Sequence, residues 1–331
     1  RTVGRTARMS AVATSPAWTG WDLILAGPRP RRPHRLARIM SGMLMGAGAA
    51  LLALAPLIGC WPLVEQTVNR HVQAEQAAEV ISMNWPQTDT DRGMLEAARA
   101  YNADLLASGQ PVLGETVDPF TGDASGDFTG EDDPAYIGQL NDDQGIMAVI
   151  EVPSIGVDMP VRHGSGTYAL EHGAGHLHGT SLPVGGQGSH SVITAHRGLR
   201  DKLMFTRLDE LEAGDLMYVR VEGETLAYKV DRVSVIDPDD TRLLRARPGE
   251  DRLTLMTCTP YGVNTQRLLV SGVRAEIPFE APPPDQAPGD RRDAILAGVA
   301  ATAATLVTGT AGVIATTRRH GRGGHAPRHA N

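Results

Sequence analysis

TLMTCTPYGVNTQR, residues 254–267, holds one of only two cysteines in a chain of 331 residues. The stretch begins as an apolar-alternating strand, breaks at the loop TPYGVNTQ and resumes as a strand at Arg267. Cys258 therefore stands at a strand end, on the lip of a loop. Arg267 lies nine positions on. If the two strands pair around the loop, both side chains face one cleft.

The same texture extends outward from this hairpin. Candidate strands are 146–152, 155–161, 189–195, 215–222, 225–236, 252–258 and 267–277. Short strands separated by turn signals, with no alternating long helices, predict an all-β barrel or sandwich. One short helix is expected at 204–213. Upstream, 65–82 and 90–107 read as helices. In the second, Leu95, Ala98, Tyr101 and Leu105 recur at helical spacing, and Gly109 and Pro111 follow its end. Residues 111–138 are rich in Gly, Asp and Pro and show no period, which is loop chemistry. A loop of this length is functional or disordered.

Two uncharged apolar runs flank this region, 40–64 and 294–317. A helix of roughly 20 apolar residues crosses the hydrocarbon core, so both runs are expected to span a membrane. Residues 1–39 carry eight arginines against one acid, and 318–331 carry four arginines and no acid. Both ends are thus expected in the cytoplasm, with 65–293 outside the cell membrane. The formal net charge of −7 hides this split, because the exterior part has a net charge of −18. An acidic ectodomain argues against nucleic acid as a partner and against adhesion to anionic lipid. The tetrad LIGC ending at Cys60 resembles a lipoprotein cleavage box, but the apolar run continues past it, so an unmodified cysteine at the membrane edge is expected. The sequence opens on Arg1, and Met9 is a candidate start.

Oxidising surroundings favour disulfides, so an unpaired thiol outside a cell is a liability or a nucleophile. With an unperturbed pKa of ~8.5, little of it is thiolate at pH 7. A neighbouring imidazole or guanidinium raises that fraction or stabilises the charge that attack creates. Arg267 is suited to hydrogen-bond an oxyanion. The base must come from elsewhere. His196, in SVITAHRG, ends a strand beside Gly198, and His71, His163, His172, His176, His178 and His190 are the alternatives. In HGAGHLHG, His172, His176 and His178 also have the closeness that a zinc site needs.

TLMTCTPYGVNTQR resembles the sortase signature, a TLxTC strand end followed by a loop and an Arg. ITAHRG is similar to that family's histidine segment. The likeness runs through EVPSIGVDMPV, GHLHGTSLPVGG and GETLAYKVDRVSVIDPDD, over roughly residues 145–277. It favours the pilin-polymerising branch, class C, which TLMTCTPYGVNTQRLLV, the apolar run at each end and the tripeptide Asp118-Pro119-Phe120 all resemble. The resemblance implies a mainly β fold: a closed barrel of about eight strands with N-terminal helices, a lid loop and a transmembrane helix at each end. It implies a cysteine transpeptidase, without cofactor or metal. Cys258 would attack the Thr–Gly carbonyl of an LPxTG-type sorting signal and form a thioester. His196 would serve as general acid and base, and Arg267 would hold the oxyanion or the substrate backbone. A pilin lysine would be the acceptor. Phe120 would cover Cys258, and Asp118 would pair with Arg267.

The domains implied are a basic tail (1–39), a span (40–64), extracellular helices (65–110), a lid loop (111–138), the catalytic barrel (139–280), a Pro-rich linker (281–293), a span (294–317) and a basic tail (318–331). Two other readings differ in chemistry. A housekeeping sortase would use the same residues to attach surface proteins to a peptidoglycan precursor amine, and a hydrolase would use water. A wall-anchored adhesin would carry an LPxTG pentapeptide before its last apolar run, whereas 281–293 read APPPDQAPGDRRD.

Overall fold

The computed structural model describes residues 35–83, 86–110, 130, 133–141, 145–278, and 294–295, 297–306, 308–309 and 312. The chain divides into two compact units, 1–54 with 306–331, and 55–305. In the first unit the described part is mainly the start of helix α1 (Arg35–Met83), where Met43, Leu44 and Leu51 are exposed. The expected helix 65–82 is the end of this same helical element rather than a separate one. Among the described residues no helix is long and apolar enough to cross a membrane. The side chains at 53, 56 and 57 in the first apolar run, and residues 296, 307, 310–311 and 313–317 in the second, lie outside the described set. Both spans are therefore readings of the sequence.

The second unit is built on an eight-stranded closed barrel in the order β1-β2-β3-β4-β7-β8-β6-β5. Its strands are β1 (Ile146–Val152), β2 (Val157–His163), β3 (Ala174–His176), β4 (Ser189–Thr194), β5 (Leu216–Val221), β6 (Glu224–Ile236), β7 (Asp251–Thr259) and β8 (Gln266–Ala275). Only the β2–β3 and β4–β7 pairs are parallel. Alternation sorts the side chains of β4, β7 and β8 cleanly. Ile193, Leu253, Leu255, Leu268 and Val270 fill the interior. Val192, Met256 and Leu269 face outward, into a second apolar cluster with Leu177, Ile236 and Leu244. Burying each such side chain contributes roughly 1.5–3 kcal/mol, so the outer cluster adds to what the core contributes in fixing these three strands. A buried polar chain adds to it: His190 Nε2 meets Thr254 Oγ1 at 2.7 Å, which meets Ser271 Oγ at 2.7 Å.

Strand β1 is apolar at every position but Glu151 because both its faces are covered, and all seven residues are buried. Ala77 and Val80 of α1 pack on Ile146 and Val149. Helix α2 (Asp89–Ala107) starts with a capping box between Thr88 and Asp91. It docks through Leu95, Ala98 and Asn102, and the Asn102 amide both donates to Leu182 O (3.0 Å) and accepts from Leu182 N (2.7 Å). The short helix α3 (Pro134–Ile137) begins at the N-cap Asp133.

The expected helix at 204–213 does not form. Met204 has φ 41°, and the segment instead makes i to i+3 turns with a 3-10 stretch at Leu208–Glu210. Arg207 donates to Ile155 O at 3.3 Å, so tertiary pinning overrides local helical periodicity. Strand β3 is a further difference: at three residues it is too short for any periodic signal.

Candidate active site

Strands β7 and β8 pair antiparallel with Cys258 directly opposite Arg267. Strands β4 and β7 pair parallel, ending at Thr194 opposite Met256. Ala195 N closes that last pair by donating to Met256 O (3.3 Å), and beyond it the Thr257 side chain reaches across, donating from Oγ1 to Ala195 O (2.8 Å). His196 follows two residues past Thr194, at the same strand ends as Cys258, which lies two residues past Met256. Directly paired residues share a face, and neighbouring strands are about 4.8 Å apart. Cys258 and Arg267 consequently form one rung on the outer face, above the rung of Thr194, Met256 and Leu269, and His196 lies just past the end of β4. All three sequence-selected residues lie at the same end of the neighbouring strands β4, β7 and β8.

The site is secluded. Cys258, His196 and Arg267 are 6%, 8% and 6% exposed. The apolar outer cluster lies beneath it, and a low-dielectric floor strengthens any charge interaction above. Arg267 is oriented by its own loop, donating from Nη1 to Asn264 O (3.2 Å) and Gln266 O (3.3 Å). The His196 carbonyl accepts from Phe205 N at 3.1 Å, which holds the strand end. Neither Cys258 nor Cys60 is in a disulfide. A thiol beside an imidazole and a guanidinium is equipped for nucleophilic attack on a carbonyl, proton transfer to the leaving group, and stabilisation of the resulting oxyanion.

Arg197, which the sequence reading passed over, braces this arrangement. Its buried guanidinium donates from Nη1 to Thr259 Oγ1 (3.3 Å), the residue after Cys258. Its Nη2 pairs with Asp209 Oδ2 at 2.6 Å, and its Cζ lies 6.0 Å from the Tyr261 ring centroid. One side chain thus ties the residue following His196 to the residue following Cys258. Gly198, at φ 81°, allows Tyr261 this approach, since a Cβ there would come within 3.3 Å of the ring. The HRG tripeptide was the available signal.

Asp118, Pro119 and Phe120 lie outside the described residues. The two ends of their segment are described, and both converge on the β3–β4 connection. At the entry, Gln110 Nε2 donates to Gly179 O (3.1 Å), and Gln110 Oε1 accepts from Ala246 N (2.7 Å). At the exit, Asp133 Oδ2 pairs with His178 Nε2 at 3.1 Å. Behind that pair, buried Tyr136 bonds His176 Nδ1 at 2.9 Å and accepts from Gly164 N at 2.9 Å. Burial drives the Tyr136 phenol well above its usual range and holds His176 neutral, with its pKa down to about 3. The hydrogen bond from His178 holds the Asp133 carboxyl below the usual carboxylate range against the opposing effect of burial.

The three imidazoles of HGAGHLHG do not converge. His172 turns to Tyr168 O (2.9 Å), His176 to Tyr136 and Ser181 O (2.8 Å), and His178 to Asp133. Among the described residues no group of three or more His, Cys, Asp or Glu could hold a metal ion.

Residues 150–275 match the sortase domain family. The chain is 27% identical over 129 residues to sortase D of Bacillus subtilis, an alignment covering 38% of this chain and 62% of that protein. The chain spans about half to three-fifths of the length of the curated relatives it matches. Among solved structures, sortase C-1 of Actinomyces oris is 41% identical with a TM-score of 0.50, covering 57% of this chain and all of that one. The pilus-related sortase C of Group B Streptococcus is 37% identical with a TM-score of 0.51, covering 59% of this chain and 94% of that one. With the barrel, the strand-end cysteine and its flanking histidine and arginine, these matches establish that the chain belongs to the sortase family of cysteine transpeptidases.

Proposed function

We propose that this chain is a membrane-anchored sortase of the pilus-assembling kind. The observation that carries this reading is the direct pairing of Cys258 with Arg267 on the barrel's outer face, with His196 just past the end of the neighbouring strand β4. The Cys258 thiolate attacks the Thr carbonyl carbon of an LPxTG-type signal, and the new C–S bond places negative charge on the carbonyl oxygen. Arg267 stabilises that oxyanion. His196 gives its proton to the Gly nitrogen as the Thr–Gly bond breaks, leaving a thioester. A lysine Nζ of the next pilin then attacks the thioester, His196 takes its proton, and the thiolate departs as an isopeptide bond forms. Asp118, Pro119 and Phe120 act as a lid, with the ring over sulfur and the carboxylate on Arg267. The convergence of both segment ends on the β3–β4 connection supports this role.

The run 40–64 anchors the enzyme, with the second span at 294–317, the barrel outside and both termini in the cytoplasm. Exposed Leu44, Leu51 and Ile58 require an apolar cover, and Trp61 suits the membrane interface. The likeness to a pilus-related sortase C favours lysine over a peptidoglycan amine as acceptor. The test supplies the enzyme with a pilin carrying a sorting signal and a lysine-rich acceptor face. A reduction-resistant ladder of covalent multimers is expected. Cleaved monomer alone, or transfer only to a peptidoglycan-type amine, contradicts pilus assembly.

A further inference from the structure

The loop between β7 and β8 has one buried residue among five exposed ones in 260–265, and it is polar. Asn264 is 5% exposed, yet among the described residues neither its Oδ1 nor its Nδ2 has a hydrogen-bond partner. Its backbone is firmly placed. Asn264 N donates to Pro260 O at 3.0 Å, and its carbonyl accepts from Arg267 Nη1 at 3.2 Å. Its φ of 61° lies in the left-handed region, which Asn tolerates better than most residues. A buried carboxamide normally satisfies its donor and acceptor, because leaving them unmade is unfavourable. Asn102 shows the usual solution in this fold, pairing both ends of its amide with the Leu182 backbone. Asn264 has the same chemistry, lies beside the guanidinium that faces Cys258, and has no such partner.

We infer that Asn264 is a substrate-binding residue that reads the main-chain N–H and C=O of one residue of the acyl-donor strand. Its Oδ1 accepts from a substrate N–H, and its Nδ2 donates to a substrate carbonyl. An extended peptide beside Cys258 presents that donor and acceptor pair, and a neutral carboxamide is the side chain that matches both. The ligand is therefore the main chain of the sorting signal rather than any of its side chains, and the contact favours an extended donor whatever its variable residue. The same residue orients Arg267 through its backbone carbonyl, so substrate alignment and guanidinium placement are joined in one position. This inference rests on the sortase reading above.

The test uses the full chain carrying Asp118→Ala and Phe120→Ala, and measures thioester formation at Cys258 by intact mass. Asn264→Gly keeps the left-handed backbone and the carbonyl on Arg267 but removes the carboxamide. Asn264→Asp keeps an acceptor and loses the donor. Asn264→Gly is expected to keep the unfolding midpoint of its parent while slowing thioester formation about tenfold or more, with Asn264→Asp also impaired. Peptides N-methylated at each amide in turn should include one that slows the parent but leaves Asn264→Gly no slower than it is with the unmodified peptide. An Asn264→Gly chain that loses stability but forms thioester at the parent's rate overturns the inference and makes the amide structural. Equal sensitivity of parent and variant to every methylated peptide does the same. If the parent itself forms no thioester, the sortase reading falls and the inference falls with it.

Discussion

Cys258 and Arg267 are direct partners across the β7–β8 pair, so a guanidinium is built into the same rung of the sheet as the thiol. Two carbonyls hold that guanidinium, Asn264 in the intervening loop and Gln266 at the start of β8. Such a group is already oriented before any charge develops on a substrate, which is what makes electrostatic stabilisation effective. Arg267→Ala is expected to reduce kcat for transpeptidation by about 10²–10³-fold without unfolding the barrel. Arg267→Lys should recover little, because an ammonium lacks the planar fork that two carbonyls position. Wild-type kcat in Arg267→Lys would show that charge alone suffices.

Arg197 acts on the pair from the side, through Thr259 and Asp209. Arg197→Ala should lower kcat by about tenfold with a smaller change in KM, since proper placement of two reacting groups is lost rather than substrate contact. Asp209→Asn weakens one arm of the same brace and should show the same pattern in milder form. A change confined to KM would place Arg197 in substrate binding instead.

Tyr136 secures α3, and with it the exit of the proposed lid, by one hydroxyl that serves His176 and Gly164 N. Tyr136→Phe preserves the ring but leaves a buried N–H and an imidazole nitrogen without this partner. The expected loss is about 1–3 kcal/mol, read from denaturant unfolding. An unchanged midpoint would mean that neither group depends on the phenol.

Stability should also depend on pH in a stated direction. Burial lowers the pKa of His176 to about 3 and of His190 to about 4. Below about pH 6.5 the unfolded chain takes up these protons before the fold does, so stability falls with pH by up to ~1.4 kcal/mol per unit for each histidine. Asp158 acts oppositely. Burial and the neighbouring Glu151 raise its pKa to about 7, so the fold holds that proton longer, and this contribution is lost as pH rises towards 7. Unfolding midpoints at pH 5, 6 and 7.5 should therefore show a shallower acid loss in His190→Gln. Above pH 7, Asp158→Asn should be the more stable protein by about 1 kcal/mol, after allowance for solvent screening. An unaltered pH profile in both variants would contradict these assignments.

Much of the site could be read from residues 254–267 and 189–198, because a rung across paired strands follows from alternation and strand ends alone. The helix 90–107 was equally legible from its periodic Leu95, Ala98, Tyr101 and Leu105 and the Gly109 and Pro111 beyond its end. What could not be read depends on distant pairings. β3 is too short to alternate, and the segment 204–213 has helical spacing that Arg207 and the turn at Met204 override. Tyr136 draws its partners from residues 164 and 176, and Arg197 from 209, 259 and 261, so neither has a local signature. Asn264 looked like a turn residue in sequence, and only its burial sets it apart.

The central claim is that Cys258 is the acylated nucleophile. The most direct measurement is the intact mass of the protein after incubation with an LPxTG peptide, for the parent, the Asp118→Ala, Phe120→Ala variant and Cys258→Ala. A mass increase equal to the acyl fragment ending in Thr, strongest in the lid variant and absent from Cys258→Ala, is the predicted result. An adduct that persists in Cys258→Ala, or none in any folded form, would contradict it.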